Sequence, residues 1–409
     1  MAIQGLRDTS GFTVTGQRPE NWREGTLLLF PNGDMPLTAL TSVMKSESTD
    51  DPKYHWFEKI MSDQRMALTT APVTGTTLAM TGGGGFECRP GTLLLFEETG
   101  EIAIVTTVTS DTALEVARSW GSVAATNVPI ASNGVNPYIT IIGTAVEEGS
   151  SAPIAIMYDP TERWNYTQIF RNTLNATRTA INTRLRTGDQ IREAKREALQ
   201  YHGIEQERSF WFGEKIKDTF NGSPRRTTEG FVPWLTATAS GQVVTPSGNS
   251  MDMNDLEDYM RLAFEYGSSE KMAFAGNRAL LNIQRILRKN SATPYTLMQG
   301  QKEFGMNVSR LICPFGELVI KTHPLFNRMT SADDGGTWYY GYDAAMAILD
   351  MENVKYRYLK NSDTKFSDNI QANDKDAKQA GYLTECGMEF HHANTHLLIK
   401  GIGTGVADA

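Results

Sequence analysis

Cysteine is scarce in this chain: Cys88, Cys313 and Cys386 are the only three in 409 residues, far apart and odd in number. Neither a disulfide framework nor a paired-cysteine zinc site can be built from them, so a reduced, intracellular setting is expected. Long apolar runs are absent too. Segments such as Thr26–Phe30 fall far short of the ~20 residues that carry a helix across a bilayer. Met1–Phe12 has neither the basic start nor the apolar stretch of a secretory signal, so no membrane partner is expected and the chain should stay where it is made. The glycosylation-type sequences at Asn165, Asn175, Asn221 and Asn307 are then chance matches. Positive charge is in deficit, with 39 Lys and Arg against 47 Asp and Glu, a net −8. A protein that lives by gripping phosphates needs a concentrated basic face, so nucleic acid is not expected as a tight direct ligand.

Catalytic patterns are equally thin. The best constellation is Cys386 with His391, His392 and His396, where His392, Asn394 and His396 on one face of a strand could offer two imidazoles to a metal. Two ligands are too few, since a structural zinc takes four and a catalytic one three. Gly82–Gly85 is followed by no Gly-Lys-Ser/Thr and reads as a flexible turn rather than a phosphate loop. Gly149-Ser150-Ser151 and Gly267-Ser268-Ser269 fail the nucleophile-elbow pattern, and the carboxylate pairs Glu147-Glu148 and Asp333-Asp334 sit beside glycines as loop charges. No enzyme, metal or cofactor is expected.

What is present is a succession of elements with 40% hydrophobic content, enough for two or three domains. Residues 1–24 are polar and without periodicity, an arm that needs a neighbour. GTLLLF occurs at 25–30 and again at 91–96, each copy followed by a turn signal, Pro31–Asp34 and Glu97–Gly100. From Val73 to Tyr138 short β-branched segments such as Ile102–Val108 and Ala113–Ala117 predict antiparallel strands, a small β-module over 73–145. Thr187-Gly-Asp-Gln190 has the form of a capping box, and Ile191, Ala194, Ala198 and Tyr201 predict an apolar stripe on a helix that continues through Gly203 to Phe212 and stops at Gly213. Phe210, Trp211 and Phe212 should anchor its end. A second helix is predicted from Met253 to Tyr266, capped at Asp252 and facing inward with Leu256, Met260, Ala263 and Phe264. A third is predicted after Asn277, with Leu280, Ile283 and Leu287 on one stripe. Strand Met272–Ala275 lies between these helices, so 250–320 reads as an α/β-like subdomain.

Several separated segments resemble one family. Residues 347–402, from AILDMENVKYRYLKN to ECGMEFHHANTHLLIKGI, are similar to the closing strands of tailed-phage major capsid proteins with the Hong Kong 97 type of fold, in the branch with a β-rich insertion in the extended loop. Tyr54-His-Trp-Phe-Glu58 resembles the aromatic patch after the N-terminal arm. Val116–Gly121 and Glu147–Ser150 resemble the edges of the insertion. The helix Asp189–Phe212 resembles the spine helix, Thr228–Phe231 the strand entry after it, and Tyr266–Lys271 with Phe315–His323 the axial domain.

The resemblance implies an α+β subunit divided as follows: an arm and first strand over 1–50, an extended loop over 51–160, a peripheral domain over 161–228, an axial domain over 229–345 and return strands over 346–409. It implies self-assembly into pentamers and hexamers of an icosahedral head enclosing double-stranded DNA, in the virion after assembly in the host cytoplasm. The partners it implies are a separate scaffolding protein and a portal, with a cement protein left open. Residues at the subunit interface would be Trp56, Phe57, Arg118, Trp120, Glu147, Glu148, Arg192, Arg196, Lys271 and His323. Neither the lysine nor the asparagine through which some relatives cross-link can be matched to a position here, which predicts non-covalent closure. Two other readings stay open at this point: a β-rich tail or decoration protein, and a nanocompartment shell protein.

Overall fold

Two units divide the chain, Phe57–Glu162 and the segments on either side of it. The computed structural model describes residues 44–69, 75–125, 137–183, 190–249, 251–289, 296–303, 306–327 and 341–403. The expected arm over 1–24, the first GTLLLF copy with its turn, the Thr187–Asp189 part of the capping box and the Asp333-Asp334 pair lie outside the described residues.

The unit Phe57–Glu162 is built on a closed six-stranded barrel, in the order Arg65–Leu68, Thr77–Thr81, Ala113–Ala117, Ile102–Ser110, Thr92–Phe96 and Tyr138–Thr144. Its strands alternate as a barrel requires, so that Met66, Leu68, Leu78, Met80, Leu94, Phe96, Val105, Leu114, Val116 and Ile139 fill the interior. Closure leaves no sheet edge open. The second GTLLLF copy supplies the strand Thr92–Phe96. The Gly82–Gly85 run differs from the flexible turn expected of it. The Gly84 and Phe86 amides donate to Asp111 Oδ1 at 3.1 and 3.2 Å, and a Cβ on Gly85 would stand 2.4 Å from the Ser110 carbonyl oxygen. Glycine is there for close approach to the neighbouring turn.

Among the described residues the other unit is built on two large sheets, besides the two-stranded hairpin Ile216–Phe220/Ser223–Thr227. Five strands run in the order Ser46–Thr49, Val354–Leu359, Ala377–Phe390, Gln168–Thr177, with Lys365–Ser367 also pairing on Ala377–Phe390. Seven strands run Val243–Val244, Leu397–Ile399, Met346–Leu349, Glu270–Ala275, Gly316–Thr322, Met306–Cys313, Thr296–Glu303. The central pieces Met272–Ala275 and Met346–Leu349 are buried at every position, because both faces of this sheet are covered. The helices Met253–Ala263 and Asn277–Lys289 share its core through Leu256, Met260, Ala279 and Ile283. Met253–Ala263 starts on a full capping box between Asp252 and Asp255 and ends three residues before the expected Tyr266.

The long helix Gln190–Phe212 runs through Gly203 unbroken. Its buried face is not the expected one. Tyr201 is exposed and Ile191, Ala194 and Ala198 are only half-buried, whereas His202, Gln206, Glu207, Phe210 and Trp211 are buried. Polar groups can occupy that face because partners meet them: His202 bonds Asn172 Oδ1 at 2.8 Å and Thr384 Oγ1 at 2.7 Å, on two strands of the five-stranded sheet. Trp211, fully buried, has Phe326, His323, Phe274 and Phe231 around it at ring-centroid distances of 4.9, 5.4, 5.5 and 5.6 Å, all edge-on. Trp211→Ala is expected to lower subunit stability by about 3–5 kcal/mol, read as a fall in the urea midpoint at unchanged slope.

Candidate functional site: assembly surfaces

The candidate functional site is the set of exposed side chains available to other molecules. The ten residues expected at interfaces divide into two groups. Lys271 is buried and its Nζ donates to the carbonyl oxygens of Ala263 and Tyr266, both at 2.6 Å, and of Thr395 at 2.7 Å. It thereby caps the end of helix Met253–Ala263 and ties it to the turn Ala393–Thr395. Burial pulls its pKa down to about 8, which leaves it charged at neutral pH. His323 is buried, bonds Glu207 Oε1 at 2.7 Å and stacks on Phe326. Arg118 grips Glu101 through two nitrogens at 2.6 and 2.5 Å inside the barrel unit and lies over the Phe96 ring. Trp56 is buried between Tyr54 and His391. These four side chains are committed inside the subunit, which corrects their expected placement at its surface. Aromatic and charged residues are enriched at interfaces, but the same chemistry builds cores, and residue type alone does not separate the two.

Phe57, Trp120, Glu147, Glu148, Arg192 and Arg196 are exposed. Larger apolar exposure lies beside Phe57. In the barrel unit Met61 is 90% exposed, Met157 89%, Ile154 76% and Ile60 60%, along the two segments that lead into and out of the barrel. Neither segment has a periodicity that predicts this exposure. A signal was present: Ile60-Met61 and Ile154 to Tyr158 place large apolar residues in stretches with no pattern to bury them.

The Cys386 and histidine constellation is dispersed. His392 has φ +49° and precedes the short 3-10 turn Ala393–Thr395, so His392 and His396 do not share a strand face as expected. Cys386 is buried beneath Tyr356, and burial pushes its thiol up to about 12. His391 bonds Glu389, which is also held by Arg357. His396 is fully buried; its Nδ1 accepts the Asp350 amide at 3.1 Å and its Nε2 lies 3.2 Å from the His391 carbonyl, the pattern of a neutral ring protonated on Nε2. Burial pulls its pKa down to about 3. Among the described residues there is no group of three or more His, Cys, Asp or Glu that could hold a metal ion.

A long helix laid on one sheet, a second sheet flanked by helices and a β-rich insertion make the fold that of a phage shell subunit of the Hong Kong 97 type. Among solved structures the chain is similar to the capsid of an empty GTA particle, with a TM-score of 0.50 at 8% identity over 97% of this chain and 99% of that one. It is also similar to the Cyanophage Pam1 capsid, with a TM-score of 0.43 at 10% identity over the whole of both chains. It is 29% identical over 351 residues, 83% of this chain and 79% of the relative, to the major capsid protein of Pseudomonas phage PaMx41. The family model of the SU10 major capsid protein matches residues 8–403, and the chain belongs to that family, whose members form the shell of the virion. The family is a structural one.

Two outcomes follow for the buried groups. His396 has a folded pKa well below the ~6.5 of an unfolded chain, so the unfolded state binds more protons between those values. Its contribution is therefore present in full above pH ~6.5 and is lost as pH falls toward 3, by up to about 1.4 kcal/mol per pH unit. Urea midpoints at pH 7 and 4.5 should differ clearly in the parent chain and much less in His396→Gln. Arg118→Ala should cost about 3–5 kcal/mol by stranding buried Glu101, and Arg118→Met with Glu101→Met should restore most of it, measured by calorimetry.

Proposed function

We propose that this capsid subunit assembles into rings of five and six that close into an icosahedral head around double-stranded DNA, without covalent links between subunits. The observation that carries the reading is the exposure of Phe57, Ile60, Met61, Ile154 and Met157 in a unit whose barrel already has its own closed core. Five large apolar side chains in that position suit a neighbouring subunit's surface, with the barrel unit serving as the extended loop. Gln64 and Tyr158 meet between the same two segments, so both can act as one contact. The long helix with the five-stranded sheet then serves as the peripheral domain, and the seven-stranded sheet as the axial domain at ring centres. Phe57, Trp120, Glu147, Glu148, Arg192 and Arg196 are the exposed residues we assign to subunit contacts.

A net charge of −8 suits a container that confines DNA without gripping it. Each contact need not be strong, because a subunit held by several neighbours gains avidity. A separate scaffolding protein and a portal complete the proposed assembly.

Negative-stain electron microscopy over a concentration series, with and without the scaffolding partner, tests this. Closed shells or five- and six-membered rings are expected, and monodisperse monomers under every condition would refute it. Met61→Glu with Met157→Glu should leave the far-UV spectrum unchanged and raise the concentration needed for assembly at least about tenfold, since each lost methionine contact is worth about 1.5 kcal/mol or more.

A further inference from the structure

We infer that the hairpin Ile216–Phe220/Ser223–Thr227 is a docking element that pairs, strand edge to strand edge, with the same hairpin of a second copy of this chain across a two-fold axis. The inference rests on the shell reading above and concerns a surface around Asn221-Gly222-Ser223, otherwise a chance glycosylation-type match. Asn-Gly between two short β-forming runs is in fact a strong hairpin signal. The structure uses it so: Phe220 pairs with Ser223 across a two-residue turn in which Asn221 has φ +50° and Gly222 φ +76°.

Every residue of Ile216–Phe220 is exposed, and among the described residues this strand pairs only with Ser223–Thr227. Isolated two-stranded ribbons are marginal in water. The two edges are unequal. Ser223–Thr227 contains Pro224, which has no amide to offer, and Thr228 next to it is already bonded to Gln168. Ile216–Phe220 contains no proline and no bulge, and carries Ile216 and Phe220 on one face, the features of an edge left open for pairing.

The register follows from the hairpin's own ladder. In a hairpin with a two-residue turn the closing pair Phe220 and Ser223 is hydrogen-bonded, as are pairs two residues apart from it, so Ile216, Asp218 and Phe220 point their amides inward. The outward groups belong to Lys217 and Thr219. Antiparallel self-pairing that satisfies both residues must centre on Asp218, with Lys217 opposite Thr219 of the second copy. That register sets Ile216 opposite Phe220 twice, a favourable β-branched and aromatic pair. It also sets Asp218 opposite itself. The repulsion this would bring is removed within each hairpin, where Arg225 Nε and NH2 reach the Asp218 carboxylate at 3.0 and 2.6 Å. Centring on Lys217 instead would oppose two ammonium groups with nothing to neutralise them. The contact is small, which suits an interface repeated over a shell.

Cysteine placement reads the register directly. At the centre of this pairing the two Asp218 Cα atoms fall about 4.5 Å apart, within disulfide range, whereas the two Phe220 Cα atoms lie four residue steps apart, about 13 Å. The native Cys88, Cys313 and Cys386 are buried. Shells of Asp218→Cys, mildly oxidised, are expected to run mainly as dimers on a non-reducing gel, and shells of Phe220→Cys as monomers. Thr219→Pro, which removes an outward amide, should keep the far-UV spectrum and lower the yield of closed shells at least tenfold. Wild-type shells together with Asp218→Cys shells that stay monomeric on oxidation would overturn the self-pairing while leaving the shell reading intact. Loss of shells in Thr219→Pro without that cross-link would point to a different partner surface and overturn it equally. No shells from the wild-type chain together with no dimer from Asp218→Cys would overturn both.

Discussion

A buried carboxyl group has to be held, and the hold on Glu207 organises the larger unit of this subunit. Glu207 sits on the long helix, and His323, at the end of a strand of the seven-stranded sheet, meets it at 2.7 Å with both side chains out of solvent. One turn before it, His202 bonds Asn172 and Thr384 of the five-stranded sheet, and one turn after it Trp211 fills the aromatic ring around His323. Rotating the helix would strand the carboxylate and both imidazole bonds at once, a cost far beyond the gain from burying a few more methyl groups. The helix therefore keeps one orientation against both sheets despite a weak apolar pattern. Polar pairing sets its register, and aromatic packing supplies the burial.

The same economy of partners separates inside from outside. Lys271, Arg118, His323 and Trp56 carry the chemistry common at protein interfaces, yet each is consumed within the chain by carbonyl groups, a carboxylate or stacked rings. What remains for other subunits is what no internal partner claims. That is a set of apolar side chains beside the barrel and an open hairpin edge. A shell protein must keep its subunit soluble and monomeric for a time and still associate later, and modest, dispersed contacts meet both needs. Pro224 on one edge of the hairpin and none on the other is a local instance of that balance.

The extent to which the fold was legible follows from where periodicity is strong. The strands Ile102–Ser110 and Ala113–Ala117 and the helices Met253–Ala263 and Asn277–Lys289 announce themselves through alternation, caps and apolar stripes, all of which are local. Asp252 with Asp255 and the continuous apolar run at Met272–Ala275 are readable for the same reason. The family was legible because its resemblance is spread over many short segments rather than over one motif.

The sequence by itself determined the elements, the class of fold and the absence of a disulfide framework, because spacing, composition and turn chemistry act within a few residues. Tertiary structure alone decided which face of the long helix is buried, because His202 and Glu207 become interior residues only when Asn172, Thr384 and His323, distant in sequence, arrive to satisfy them. It likewise decided that Lys271 caps a helix while Met61 and Met157 face water. Burial is a property of the whole packing, and a side chain's own chemistry does not state whether its partner will come from its own chain or from a neighbour.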